Sequence, residues 1–282
     1  MTADASPATA PRRVSLAAGA ACFRHHPGAG PPVLFLPGLL ATSFCWRHCL
    51  PPLSAVGDCY APDFPGLGGS APIPRLDGIA GLAAWAREFA ATLGLGPVTI
   101  VASSWGGAVA LRWALDAPHE VRALVLAAPA NPFFRPLWRQ RALLGNARWA
   151  GLALAHMPAR WHARGLAAMF ADPRRLTAEI AAGYRQPLRR RGLGRIVAGY
   201  VAHWRRDMAA MAPHLGEIPA PTLLLWGEQD RIVPPGSAAP LQRALAHAEL
   251  SLLPDAGHAP FEECPTAFCA AAMAFLRRHL RP

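Results

Sequence analysis

Three observations predict an α/β fold: a doubly wound, mostly parallel sheet with an inserted helical cap. Short, continuously apolar runs alternate with helical spacing along most of the chain, as strands buried on both faces do. Between Pro129 and Pro213 that alternation stops and only helical stretches remain. A β-branched run from Val98 to Val101 breaks at Ser103-Ser104-Trp105-Gly106-Gly107 into an Ala-rich helix, a strand–turn–helix corner with a serine at its apex.

Length and composition bound the rest. With 282 residues, 52% of them hydrophobic, the chain suits one large domain carrying an inserted subdomain. The expected division is a frayed tail over 1–11, a core over 12–129 and 214–282, and a cap, or lid, over 130–213. The tail lacks the basic and apolar regions of a secretion signal, and no apolar run reaches the ~18 residues of a membrane span. The six cysteines show no metal-ligand spacing. They read as free, buried small hydrophobes, which favours a reducing cytoplasm.

The chain begins with two short strands over 13–25, joined near Ala18 and Gly19. Pro32 to Leu36 is a strand that ends at Pro37-Gly38-Leu39-Leu40, and Ser43 caps a helix expected to reach Val56. Asp58 to Pro62 is a strand, and Asp63 to Ser70 a glycine-rich loop. Leu82, Trp85, Phe89 and Leu93 share one face of a helix over 79–93. The corner strand follows, with its helix over 108–117, then a strand from Val121 to Ala127. In the insertion, helices are expected over 138–156, 161–170, 176–184 and 193–211, divided by Pro158, Pro173 and Pro187. Beyond it come a strand over 222–226, a helix over 237–246, a strand over 250–253 and a closing amphipathic helix over 266–280.

A sharp corner needs small residues two before and two after its apex. Around Ser104 these are Ala102 and Gly106; around Ser103 the second would be the bulky Trp105, so Ser104 is the register that works. A serine hydroxyl needs an adjacent base to act as a nucleophile. In open α/β sheets such partners sit at the carboxyl ends of the strands. Asp230 follows the strand over 222–226, and His258 follows the strand over 250–253. Asn131, after the preceding strand, cannot serve as the carboxylate, and Asp255 reads as a turn residue. The order Ser104, Asp230, His258 is that of a hydrolase triad built on an α/β sheet.

The chain resembles the α/β-hydrolase family, in the branch with a helical cap between the sixth and seventh strands. The matching blocks are Leu-Phe-Leu-Pro-Gly38, Ala-Pro-Asp-Phe-Pro-Gly-Leu-Gly-Gly-Ser70, Ala-Ser-Ser-Trp-Gly-Gly107, Trp-Gly-Glu-Gln-Asp230 and Asp-Ala-Gly-His258, spread from about Val33 to Leu280. Two positions depart from the common pattern: Ala102 stands where glycine is usual, and Pro37 where many relatives carry histidine. In the roles that follow, His258 takes the Ser104 proton and later protonates the leaving group, while Asp230 holds the imidazole. The backbone N–H groups of Leu39 and Trp105 are the expected oxyanion donors. Because serine occupies the apex, mechanisms that need an aspartate there, as in haloalkane dehalogenases and epoxide hydrolases, are disfavoured.

The expected substrate pocket is apolar, drawn from Leu40, Phe133, Phe134, Trp138, Trp161 and Trp204. All 28 cationic side chains are arginine, and they are unevenly placed. From Asn131 to Arg206 there are 15 arginines against two acids, whereas the remainder has 13 against 15. The triplet Arg189-Arg190-Arg191 is the densest cluster, and it reads either as solvated surface or as a face for an anionic substrate or an acidic carrier protein. Nothing supplies a groove reader or stacking platform for nucleic acid. No cofactor is expected, since Gly66, Gly68 and Gly69 lie in a loop without the strand–GxGxxG–helix context. The expected function is therefore a serine hydrolase acting on a small-molecule carboxylic ester or thioester through an acyl-enzyme. The alternatives are a C–C bond hydrolase of the meta-cleavage type and an accessory, ligand-binding protein of the same fold without turnover.

Overall fold

Eight strands form one sheet: β1 (Arg12–Leu16), β2 (Gly19–His26), β3 (Pro32–Leu36), β4 (Asp58–Pro62), β5 (Val98–Ser103), β6 (Val121–Ala127), β7 (Thr222–Gly227) and β8 (Ala248–Leu253). They belong to a computed structural model that describes residues 10–135 and 157–280. The spatial order is β1-β2-β4-β3-β5-β6-β7-β8. β1, β2 and β4 pair antiparallel, and every pairing from β4 through β3 to β8 is parallel.

The central strands β3, β5, β6 and β7 are predominantly apolar and almost wholly buried because both faces are covered. Alternate side chains point to opposite layers. Leu34, Leu36, Ile100, Leu124, Leu126 and Leu224 enter one core, with α2 (Gly78–Thr92) and α3 (Ser104–Asp116) packed on it. Val33, Phe35, Val101, Val125, Leu223 and Leu225 enter the other, closed by Phe268 and Phe275 of α10 (Pro265–His279). The doubly wound, mostly parallel sheet expected from the sequence is thus the one observed.

Two expected helices are interrupted. Over 43–56 the chain forms a 3-10 turn at Ser43–Trp46 and then only the short α1 (Leu50–Leu53). Pro51 and Pro52 explain the break, since a proline is tolerated in the first turn of a helix but cannot continue one already begun. Over 193–211 there are two helices, α6 (Leu193–Val201) and α7 (Trp204–Met211), separated at His203, whose φ is +60°. The break turns Asp207 onto the start of α2, where its Oδ2 accepts from Ile79 N at 3.2 Å. α4 (Ala159–Ala167) and α5 (Ala178–Arg185) precede these two between β6 and β7. The expected helix over 138–156 lies outside the described residues.

α8 (Ala238–Ala244) and α9 (Pro260–Glu263) complete the elements. Among the described residues no helix is long and apolar enough to cross a membrane. All six cysteines are free thiols, five of them buried.

Candidate active site

Ser104 stands where β5 becomes α3, and its φ is +48°. A left-handed φ is strained for a residue with a side chain, and such strain persists only where packing enforces it. Here the packing is visible. A Cβ on Gly106 would lie 2.5 Å from the carbonyl oxygens of both Leu36 and Pro37, so the turn presses directly against the end of β3. A Cβ on Gly38 would reach within 3.3 Å of Ser104 Cβ. Ala102, one of the two departures from the common pattern, is paired between Leu36 and Leu126 and has no exposure. Its methyl group fits because at that position the backbone is still an ordinary strand. Ser103 is buried, while Ser104 keeps partial access to solvent.

Asp230 lies beyond β7 and is 4% exposed. Its Oδ1 accepts from Ile232 N at 2.8 Å and Val233 N at 2.9 Å, and its Oδ2 lies 2.8 Å from His258 Nδ1. Both carboxylate oxygens are therefore committed, and the side chain has one orientation. His258 follows β8, is 5% exposed, and donates its backbone N–H to Met169 O at 2.7 Å. The structure brings Asp230 and His258 into direct contact. Ser104, Asp230 and His258 all leave the same carboxyl edge of the parallel strands.

Leu39 and Trp105 follow the neighbouring strands β3 and β5, whose ends are in register at Leu36 and Ala102. The turn after β3 is closed by Ala41 N donating to Gly38 O at 3.2 Å, with Leu40 at φ +65°. Asp63 was not singled out by the sequence reading, yet it holds this region together. Buried at 5% exposure, it accepts from Ser43 N at 2.8 Å and from Gly69 N at 3.0 Å, joining the loops after β3 and β4. The sequence signal was present, since Asp63 begins the glycine-rich loop that it folds.

The aromatic residues expected to form a pocket divide into two groups. The Trp204 ring stacks on Trp105 at 5.3 Å between centroids, and Phe134 meets Trp204 edge-on at 6.3 Å. Phe133, Leu39 and Leu40 are half-buried at the edge of the large core layer that also contains Trp105 and Trp204. Trp161 instead is 48% exposed, with the Arg164 guanidinium 5.3 Å from its ring centroid. Trp138 lies outside the described residues. Within the arginine triplet, Arg190 donates to Gly68 O at 3.0 Å, while Arg189 and Arg191 are exposed. Among the described residues, no group of three or more His, Cys, Asp or Glu is placed to hold a metal ion.

The model of the alpha/beta hydrolase fold family matches residues 31–265. Polyketide synthase ThaQ of Burkholderia thailandensis is 30% identical over 90% of this chain, which spans 12% of that much longer protein. The 2-hydroxy-6-oxo-2,4-heptadienoate hydrolase of Pseudomonas putida is 28% identical, over 87% of this chain and 89% of its own length. A pimeloyl-[acyl-carrier protein] methyl ester esterase of Nitrosomonas europaea is 29% identical, over 86% and 94%. Among solved structures, a thermophilic esterase from Thermogutta terrifontis superposes with a TM-score of 0.81 at 23% identity, over 96% of this chain and 100% of that one.

Proposed function

The chain belongs to the α/β-hydrolase fold family, and on that premise we propose that it is a serine hydrolase that cleaves a carboxylic ester or thioester through an acyl-enzyme. The observation that carries this reading is the strained φ of +48° at Ser104, on the same strand edge as the Asp230–His258 hydrogen bond. With Asp230 ionised, the proton shared across 2.8 Å rests on His258 Nδ1, which leaves Nε2 with its lone pair. Nε2 takes the Ser104 hydroxyl proton as Oγ attacks the acyl carbon. The imidazolium is stabilised by Asp230 and returns the proton to the departing alkoxide or thiolate. Leu39 N–H and Trp105 N–H donate to the oxyanion, the second at the positive end of α3. Water, activated by the same histidine, then releases the acid and restores Ser104.

In this reading residues 130–213 form the cap over the core. Trp204, stacked on Trp105, and Phe134 against it form the acyl-binding surface together with Phe133 and Leu40 of the same core layer. The 15 arginines of the cap segment draw an anionic substrate, either a carboxylate-bearing small molecule or an acyl group on an acidic carrier protein. The likeness to the pimeloyl-[acyl-carrier protein] esterase supports the carrier.

A second reading is hydrolysis of a carbon–carbon bond in a vinylogous diketone by the same three residues. The likeness to the 2-hydroxy-6-oxo-2,4-heptadienoate hydrolase favours it. A fluorophosphonate probe and short p-nitrophenyl esters test both. Labelling that is lost in Ser104→Ala, together with ester turnover, supports the esterase. Labelling without turnover of any ester turns the assay to dienoate substrates, and failure there leaves a ligand-binding protein. A folded protein that does not label at all excludes an activated Ser104.

A further inference from the structure

Glu263 is the last residue of α9, and its side chain is fully shielded from solvent. A buried carboxylate is costly unless its oxygens are hydrogen-bonded. Here they are bonded by backbone N–H groups from two separate loops. Oε2 accepts from Gly257 N. Oε1 accepts from Ala171 N at 2.8 Å and from Asp172 N at 3.3 Å. Gly257 directly precedes His258, whereas Ala171 and Asp172 belong to the insertion between β6 and β7.

Two further bonds cross the same seam. His258 N donates to Met169 O at 2.7 Å, and Arg175 Nη1 donates to Asp255 O at 2.7 Å. The Arg175 nitrogen also lies 4.0 Å from Glu263 Oε1. The seam has no slack: a Cβ on Gly257 would stand 2.5 Å from Met169 O and 2.7 Å from Ala171 N. The backbone N–H of Gly257 is thus held by Glu263, the next one by Met169, and the imidazole itself by Asp230.

We propose that Glu263 is a positioning residue. It clamps residues 169–172 of the insertion to the His258 loop, and through Gly257 it sets where the imidazole stands. This rests on the reading of His258 as the base that activates Ser104. It makes the Met169–Arg175 segment a fixed leg of the insertion, joined to the reacting groups. The charge on Glu263 matters because carboxylate–amide bonds are stronger than neutral ones, and both arms draw on a single carboxylate.

Glu263→Gln tests it. The amide keeps the volume but turns an NH2 group toward one of the backbone donors, so one arm opens. A displacement of about 1 Å costs on the order of 10²-fold in rate. In a folded Glu263→Gln, kcat for a p-nitrophenyl ester and the rate of phosphonate labelling fall about 100-fold. KM stays within about twofold, because the acyl-binding surface is elsewhere. The far-downfield proton resonance of His258 Nδ1, identified by its loss in Asp230→Asn, shifts or broadens. A folded variant with a lowered Tm but unchanged kcat and an unchanged resonance overturns the proposal, since a purely structural clamp behaves that way. If Glu263→Gln does not fold, Glu263→Asp decides, because it keeps the charge but draws the carboxylate back by one methylene and so loosens both arms. Loss of kcat with a moved resonance supports the clamp; an unchanged kcat with an unchanged resonance overturns it. If the wild type neither labels nor hydrolyses, the serine-hydrolase reading fails, while the resonance still reports whether Glu263 positions the imidazole.

Discussion

The sheet-bearing body and the helical insertion solve the charge problem in different ways. In the body, 13 arginines meet 15 acids, and many pair within it. Arg87 lies 2.7 Å from Glu120 and Arg112 lies 2.8 Å from Asp116. Hydrogen bonds from Arg87 and Trp113 hold the Glu120 carboxyl below its ordinary range even against partial burial. Between 131 and 206 there are 15 arginines and two acids, so most have no acid in their own segment to pair with. Among the described residues, Arg190 reaches Gly68 O and Arg175 reaches Asp255 O of the body, while Arg174 pairs with Asp172 and Arg164 lies over Trp161 within the insertion. The difference teaches that charge is nearly balanced within the body, whereas the insertion draws part of its bonding from the body's backbone carbonyls.

Removing the proposed nucleophile breaks this contrast most severely. Ser104→Ala lowers kcat on the order of 10⁶-fold with no change in fold, followed by phosphonate labelling and ester hydrolysis. Asp230→Asn is next, on the order of 10⁴-fold in kcat, because the amide favours the wrong imidazole tautomer. If it reduces stability alone and leaves kcat unaltered, Asp230 holds the loop at Ile232 and Val233 and nothing more.

Gly106→Ala probes the packing beneath the turn. Its new methyl group meets the carbonyls of Leu36 and Pro37 at 2.5 Å, so stability falls by about 1–3 kcal/mol, read from urea denaturation. An unchanged midpoint means the turn can relax and is not held by β3.

The insertion side is sharpened by a double variant, Arg189→Gln with Arg191→Gln, sparing Arg190 because it is tied to Gly68 O. At low salt, kcat/KM for an anionic ester falls several-fold and that for a neutral ester does not, and the gap closes as salt screens the field. Equal losses on both esters mean that the insertion was damaged.

The smallest effect belongs to the body alone. Burial works against the charge of Asp58, yet hydrogen bonds from Tyr60 OH, His25 Nε2 and Gly28 N hold its carboxyl below the ordinary range. The native state then binds this proton less readily than the unfolded chain does. Its stabilisation is present above the unfolded carboxylate pKa of about 4 and is lost as pH falls through the lower folded value. Urea midpoints between pH 6 and pH 3 should drop less steeply in Asp58→Asn than in the wild type; parallel curves remove Asp58 from the acid response.

The central strands β3, β5, β6 and β7 were legible from the sequence because each is a short, mostly apolar run, and burial on both faces demands that run whatever the rest of the chain does. The Ser104 corner was legible for a related reason, since only small residues fit where β5 turns against β3. The interrupted helices were less so. Pro51 and Pro52 carried the signal for the first break, but the turn at His203 depends on Asp207 meeting the start of α2, a contact across the fold. Side-chain fates in the insertion were least legible, because helical spacing does not distinguish Trp204, stacked on Trp105, from Trp161, half exposed under an arginine.

By itself the sequence determined the mostly parallel sheet, the alternation of strands and helices along the chain, and the residues set down after β5, β7 and β8, because local pattern and turn sterics act over a few residues. Only the tertiary structure decided that both oxygens of Asp230 are committed, that Asp63 ties the loops after β3 and β4, and that Glu263 joins the insertion to the loop of His258. Those bonds link residues far apart in the chain, and a hydrogen bond, unlike an apolar run, leaves no period in the sequence.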